Sequence, residues 1–126
     1  MSKKNIYLGR SGEELAVDFL RENGYRILAR NYRSSLGEID IIAREKETLC
    51  FIEVKARAST RFGLPQEAVS PAKQRQISRI ALLFLKENNS LGKSARFDVV
   101  SVIYDAGAPR ITLIRDAFEP QERYAV

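Results

Sequence analysis

Two β-rich runs lie close together near the middle of the chain, Gly37–Arg44 and Thr48–Lys55, joined by the charged link Glu45-Lys46-Glu47. They read as one antiparallel hairpin, and any fold open to the chain has to be arranged around it. Side chains alternate along a strand, so Glu53 and Lys55 point to one face while Ile52 and Val54 point to the other. In the partner run Glu38 and Asp40 likewise share a face. A turn centred on Glu45-Lys46 pairs Glu38 with Glu53 and leaves Asp40 diagonal to Glu53, about 7–8 Å away between backbones. A slip of one residue would send the two acids to opposite faces.

The flanking segments supply a sheet and its cover. Ser11-Gly12-Glu13-Glu14 reads as a capping box that opens a helix, and Asn23-Gly24 as its end. Leu15, Ala16, Phe19 and Leu20 then fall on one helical face. Tyr25–Tyr32 is expected as a strand, and Ala56–Val69, with Gly63 and Pro65, as a loop. Ser70-Pro71 opens a second helix with a capping serine and a proline at its first position. Ile77, Ile80, Ala81, Phe84 and Leu85 form its buried stripe, and Asn88-Asn89 closes it. Arg96–Tyr104 and Arg110–Arg115 are two more strands, with an irregular tail expected from Ala117. Helix, three strands, helix and two strands indicate an α/β fold with a mixed sheet flanked by helices.

With 126 residues the chain is expected to form a single domain over residues 1–126 with one core. Its apolar runs, such as Ile80–Leu85, are too short to span a bilayer, and Met1-Ser2-Lys3-Lys4-Asn5 is not followed by a signal-like apolar stretch. One cysteine, Cys50, allows no intrachain disulfide and fits a reducing, cytoplasmic setting. The absence of histidine excludes a Ser-His-Asp triad and any histidine-ligated zinc site. Metal chemistry must therefore use oxygen ligands, which favour magnesium, manganese or calcium. The net charge of +5 points to an anionic partner, nucleic acid being the commonest.

These constraints converge on the hairpin. Facing carboxylates in a largely buried sheet repel each other, and a divalent cation between Asp40 and Glu53 relieves that repulsion. Such an ion polarises a phosphoryl oxygen and lowers the pKa of a water, which Lys55 is placed to orient. A solvated polar face is the alternative reading of the same spacing. Glu13 lies at the edge of the first helix's apolar stripe, and Glu14 is the more natural capping-box partner, which leaves Glu13 free to turn toward the sheet. Lys73 and Gln76, near the start of the second helix, could contact phosphate. Arg10, Arg33, Arg57 and Arg61 are expected in loops near the hairpin, where they could guide a phosphate backbone. Arg96 and Asp98 share a face of an apolar strand and could form a structural salt bridge.

Several stretches together resemble a known family. They are Gly9-Arg10-Ser11-Gly12-Glu13, Gly24–Leu28 with Asn31-Tyr32-Arg33, Gly37–Ala43, Phe51–Arg57, Lys73 and Arg96–Val100, in order along nearly the whole chain. The chain resembles the YraN-like family of small bacterial proteins, in the PD-(D/E)xK nuclease superfamily with its restriction-endonuclease and Holliday-junction-resolvase fold. The resemblance implies a restriction-endonuclease-like αβββαβ core. It assigns Asp40 to the metal-binding aspartate, Glu53 and Lys55 to the E-x-K pair, and Glu13 to the helix glutamate of resolvase-like members, which would complete the metal shell beside Asp40 and Glu53. One departure is Ile39, where the superfamily signature has proline before the aspartate. The expectation is then a nuclease using Mg2+ or Mn2+, hydrolysing phosphodiester bonds in DNA rather than RNA, at branched or processed structures. Cutting both strands of a junction would require a homodimer. The alternatives are a non-catalytic nucleic-acid-binding module that retains the fold, and a protein-interaction scaffold.

Overall fold

Helix α1 (Gly12–Glu22) begins where Ser11 is extended and its Oγ accepts the Glu14 N–H at 3.0 Å. The hydroxyl satisfies one of the first-turn donors that have no carbonyl within the helix. At the other end the Asn23 side chain donates to the Phe19 carbonyl, and Gly24 releases the chain into strand β1 (Tyr25–Ser34). Strands β2 (Gly37–Glu45) and β3 (Thr48–Arg57) follow, then helix α2 (Pro71–Glu87) and strands β4 (Ala95–Ile103) and β5 (Arg110–Phe118). The computed structural model describes residues 11–58, 69–104 and 107–120. No helix among the described residues is long and apolar enough to cross a membrane.

The strands form one mixed sheet in the order β1-β2-β3-β4-β5, parallel between β3 and β4 and antiparallel elsewhere. The first six elements reproduce the expected αβββαβ core, and β5 adds an edge beyond it. One helix covers each face. Leu15, Ala16 and Leu20 of α1 pack on Ile41, Cys50, Ile52, Val100 and Val102, and Ile77, Ile80 and Ala81 of α2 pack on Ile42, Leu49, Phe51 and Val99. Each leucine, isoleucine, valine or phenylalanine among them contributes about 1.5–3 kcal/mol by leaving water. Strand β4 is covered on both faces, which explains its unbroken run Val99-Val100-Ser101-Val102-Ile103.

Three strands end two or more residues beyond the sequence-based expectation, and each extension has a pairing partner as its cause. Strand β3 continues two residues past Lys55 because β4 runs parallel beside it, with Arg57 paired to Ile103 and the Tyr104 N–H donating to the Arg57 carbonyl. Arg57 is therefore a strand residue, and so is Arg33, at the end of β1. Strand β5 runs past Arg115 to Phe118, whose ring stacks on Phe97 at 4.8 Å. A bulge hides this continuation from the alternation pattern: Asp116 takes a φ of 53°, and its N–H donates to Asp98 Oδ1.

The hairpin register also shifts. The turn falls on Lys46-Glu47 rather than Glu45-Lys46, with Lys46 at φ 54° and Glu45 opposite Thr48. A shift of this size keeps every side chain on its expected face but changes its neighbour. Glu38 no longer faces Glu53. It pairs with Arg33 of β1 instead, and their side chains form an exposed ion pair at 3.2 Å.

Candidate metal centre

The β2–β3 ladder ends at Ile41 opposite Ile52. Continued in register, it would set Asp40 across from Glu53 and Ile39 across from Val54. Instead the Asp40 side chain enters the ladder, and its Oδ2 accepts the Val54 N–H at 2.9 Å. That bond holds the carboxylate between the two strands and supplies the acceptor that Val54 would otherwise take from backbone. On the other side of β2, Asn31 of β1 lies between the pairs Arg30–Ile41 and Tyr32–Ile39, across from Asp40, with a φ of 51°. Two neighbouring strands therefore depart from regular geometry at this one point.

Glu53 is buried at 4% exposure, on the face of Phe51 and α2. Its carboxyl pKa is raised to about 7, first by burial and then by the neighbouring Asp40 charge. Lys73, the Asp40 backbone and Lys55 pull in the opposite direction without cancelling the rise. Lys73 Nζ lies 4.0 Å from Glu53 Oε2, and Glu53 Oε1 is buried with no hydrogen-bond partner among the described residues. A buried acid with an unused lone pair, next to a second acid, suits a hard cation that takes oxygen ligands. Below about pH 7 Glu53 keeps its proton when no such ion is present, and a cation competes with that proton for the same oxygens.

The sequence-predicted residues do not all meet. Asp40, Glu53, Lys55 and Lys73 form one group, tied together by the charges that act on Glu53. Glu13 is held elsewhere: its Oε1 accepts from Asn31 Nδ2 at 3.0 Å and from Arg30 Nε at 3.4 Å. Among the described residues no three acidic or cysteine side chains converge as a metal-holding group. Asp40 and Glu53 would then be the protein ligands, with water and phosphate oxygens completing the shell, as magnesium tolerates. Glu13 reaches this point through Asn31, across from Asp40. Arg10 and Arg61 lie outside the described residues.

The α2 helix brings cations alongside. Lys73, Arg75, Gln76 and Arg79, with Leu36 and Ala72, line an open cleft of about 430 Å³. Gln76 Nε2 donates to the Leu36 carbonyl at 3.1 Å, which fastens the helix to the β1–β2 turn. Gly37 makes this possible, because its φ is 133° and a Cβ there would collide with the Gln76 amide. Arg75 and Arg79 escaped the sequence reading, although their i, i+4 spacing beside Lys73 and Gln76 carried the signal. Gly12 permits a second close approach, since a Cβ at that position would lie 2.7 Å from Ala56 Cβ, and it seats the start of α1 on β3.

The expected Arg96–Asp98 pair forms at 2.9 Å and belongs to a larger network away from the acid pair. Asp98, fully buried, also accepts from the Tyr25 hydroxyl and the Asp116 N–H, while Glu45 receives both Arg96 and Arg115. The two arginines hold the Glu45 carboxyl at about 2. This network joins β1, β2, β4 and β5 and is structural in character.

A family description, uncharacterised protein family UPF0102, matches residues 12–102. A UPF0102 protein of Syntrophus aciditrophicus is 51% identical over 116 residues, covering 92% of this chain and 91% of the relative. Another, of Geobacter metallireducens, is 49% identical over 119 residues, covering 94% of this chain and 98% of the relative. Among solved structures, Pyrococcus furiosus SfsA in complex with Ca2+ is 11% identical with a TM-score of 0.39, covering 79% of this chain and 58% of that one.

Proposed function

The chain belongs to the UPF0102, or YraN, family of the PD-(D/E)xK-like nuclease superfamily, and we propose that it is a metal-dependent nuclease hydrolysing phosphodiester bonds in DNA. The observation that carries this reading is the buried Glu53 carboxyl, with an unused oxygen and a raised pKa, set against the Asp40 carboxylate. A purely structural sheet gains nothing from two such acids at the point where its ladder breaks.

Bound between Asp40 and Glu53, Mg2+ or Mn2+ would polarise the phosphoryl oxygen and make a water more acidic. The Val54 N–H fixes the Asp40 carboxylate, so little rotamer freedom is lost when an ion binds. Lys55, on the same face as Glu53, orients the attacking water and stabilises charge developing on the phosphate. Lys73 and Arg75 line the approach along α2, where cations hold the phosphate backbone without reading sequence.

Cleavage of single-stranded, duplex and branched DNA, with Mg2+ or Mn2+ and with EDTA, tests the proposal. Wild type is expected to cut only with the metal, and Asp40→Ala to fall to background. Absence of cleavage by wild type on every substrate, or equal cleavage by the variant, would sink it. Salt-sensitive binding that survives the loss of both Asp40 and Glu53, without any cutting, would instead identify a binding module.

A further inference from the structure

Beyond the acid pair, three buried polar atoms have no hydrogen-bond partner among the described residues: Nε and Nη2 of Arg57 and Oγ of Ser101. They belong to two neighbouring parallel strands, two positions apart in register. Ser101 pairs with Lys55, and Arg57 with Ile103. Residues two apart on a strand share a face and stand about 6.6 Å apart, so Glu53, Lys55 and Arg57 form one row with Ser101 beside its middle member. Val99, two residues before Ser101, packs against α2, which identifies this as the α2 face.

Arg57 is partly exposed, but two of its nitrogens are shut off from water with no acceptor among the described residues, and unsatisfied buried donors are costly. The two unpaired nitrogens are also the pair that forms the side-on edge of the fork. That edge matches two oxygens of one phosphate or carboxylate. The Glu53 carboxylate, two positions beyond Lys55, does not fill it. The Ser101 hydroxyl adds a donor with no accessible surface of its own.

We infer that Arg57 and Ser101 form a phosphate-binding site for a nucleic-acid strand, holding the backbone phosphate next to the one brought to Lys55. The choice of a nucleic-acid strand rests on the nuclease reading, whereas the affinity for phosphate rests on the unpaired donors alone. Arg57 takes two oxygens through Nε and Nη2, and Ser101 takes one through its hydroxyl. The site sets the position of the strand along β3 and so decides which bond lies over Asp40 and Glu53. Arg57 is on this account a positioning residue.

The test uses the full chain in EDTA, so that metal binding and cleavage play no part. Thermal unfolding is followed with inorganic phosphate and with a single-stranded oligonucleotide carrying or lacking a 5′-phosphate. Arg57→Met removes the orphaned charge, so without ligand it should melt above wild type. Phosphate should then raise the melting temperature of wild type and leave that of the variant in place, and both oligonucleotides should raise that of the variant by less than that of wild type. Oligonucleotide affinity should fall about tenfold in Arg57→Lys, which keeps the charge but loses the fork, and several-fold in Ser101→Ala. An Arg57→Met protein that melts below wild type, or that gains as much from phosphate, overturns the proposal. Unchanged affinity in both Arg57→Lys and Ser101→Ala does the same. Stabilisation by inorganic phosphate alone, or only by the 5′-phosphorylated strand, overturns the assignment to a backbone phosphate. A failure of cleavage does not touch these readouts, and their failure leaves the acid pair standing.

Discussion

Replacing Glu53 with glutamine should make the metal-free protein more stable at alkaline pH, although it removes a central residue of the site. The carboxyl's rise from 4.5 to about 7 corresponds to about 3 kcal/mol of differential stability, at about 1.36 kcal/mol per pKa step. Below pH 4.5 the group is protonated in both folded and unfolded chains and contributes no penalty. Between pH 4.5 and 7 the unfolded chain releases a proton that the folded one keeps, so stability falls as pH rises. Above pH 7 the whole deficit is present. Glu53→Gln abolishes this slope. In EDTA at pH 8 the variant should gain about 2–3 kcal/mol, which for a chain of this size is about 10 °C in melting temperature. At pH 5 the gain should shrink to less than about 1 kcal/mol. Adding Mn2+ to about a hundred times its Kd should return about 2.7 kcal/mol to wild type and little to the variant. Circular-dichroism melts at both pH values measure all of this. Equal melting temperatures at pH 8, or a variant less stable there, would refute the argument that an uncompensated Glu53 strains the metal-free site.

Three further outcomes follow from the same structure. Asp98→Asn leaves Arg96 short of its buried partner and should lower unfolding free energy by about 3–5 kcal/mol in urea titrations, with oligonucleotide affinity of the folded fraction retained. Lys73→Ala with Arg75→Ala should weaken oligonucleotide binding and reduce the slope of log affinity against log salt by about 2, as expected for two lost phosphate contacts. The Cys50 thiol is buried and pushed up to about 12, chiefly by burial, so Ellman's reagent should label it only at the rate of unfolding. Rapid labelling of the native protein would contradict the packing of β3 under α1.

Much of this architecture was legible in the sequence because it depends on local chemistry. Ser11 and Ser70 cap the helices as their types require, and the alternation of Phe51–Lys55 places Glu53 and Lys55 on one face. The faces survived an error in register because the shift was an even number of residues. What the sequence concealed depends on long-range partners. The end of β3 at Arg57 is set by a strand that arrives some forty residues later, and the extent of β5 by a bulge that Asp98 stabilises across the sheet. The Arg96–Asp98 pair was readable from spacing, whereas Tyr25, Glu45 and Arg115 joined it from distant strands. Glu13 illustrates the opposite case: a plausible helical position whose carboxylate is occupied by Arg30 and Asn31.

Calorimetric titration of Mg2+ or Mn2+ into the chain reads the Asp40–Glu53 site itself. Run at pH 6.5 in buffers of different ionisation enthalpy, it reads both the ion and the proton it displaces. One binding event is expected, releasing a fraction of a proton because Glu53 is partly protonated there, and it should disappear in Asp40→Asn. No binding by wild type, or binding of equal strength in Asp40→Asn, would contradict the metal site.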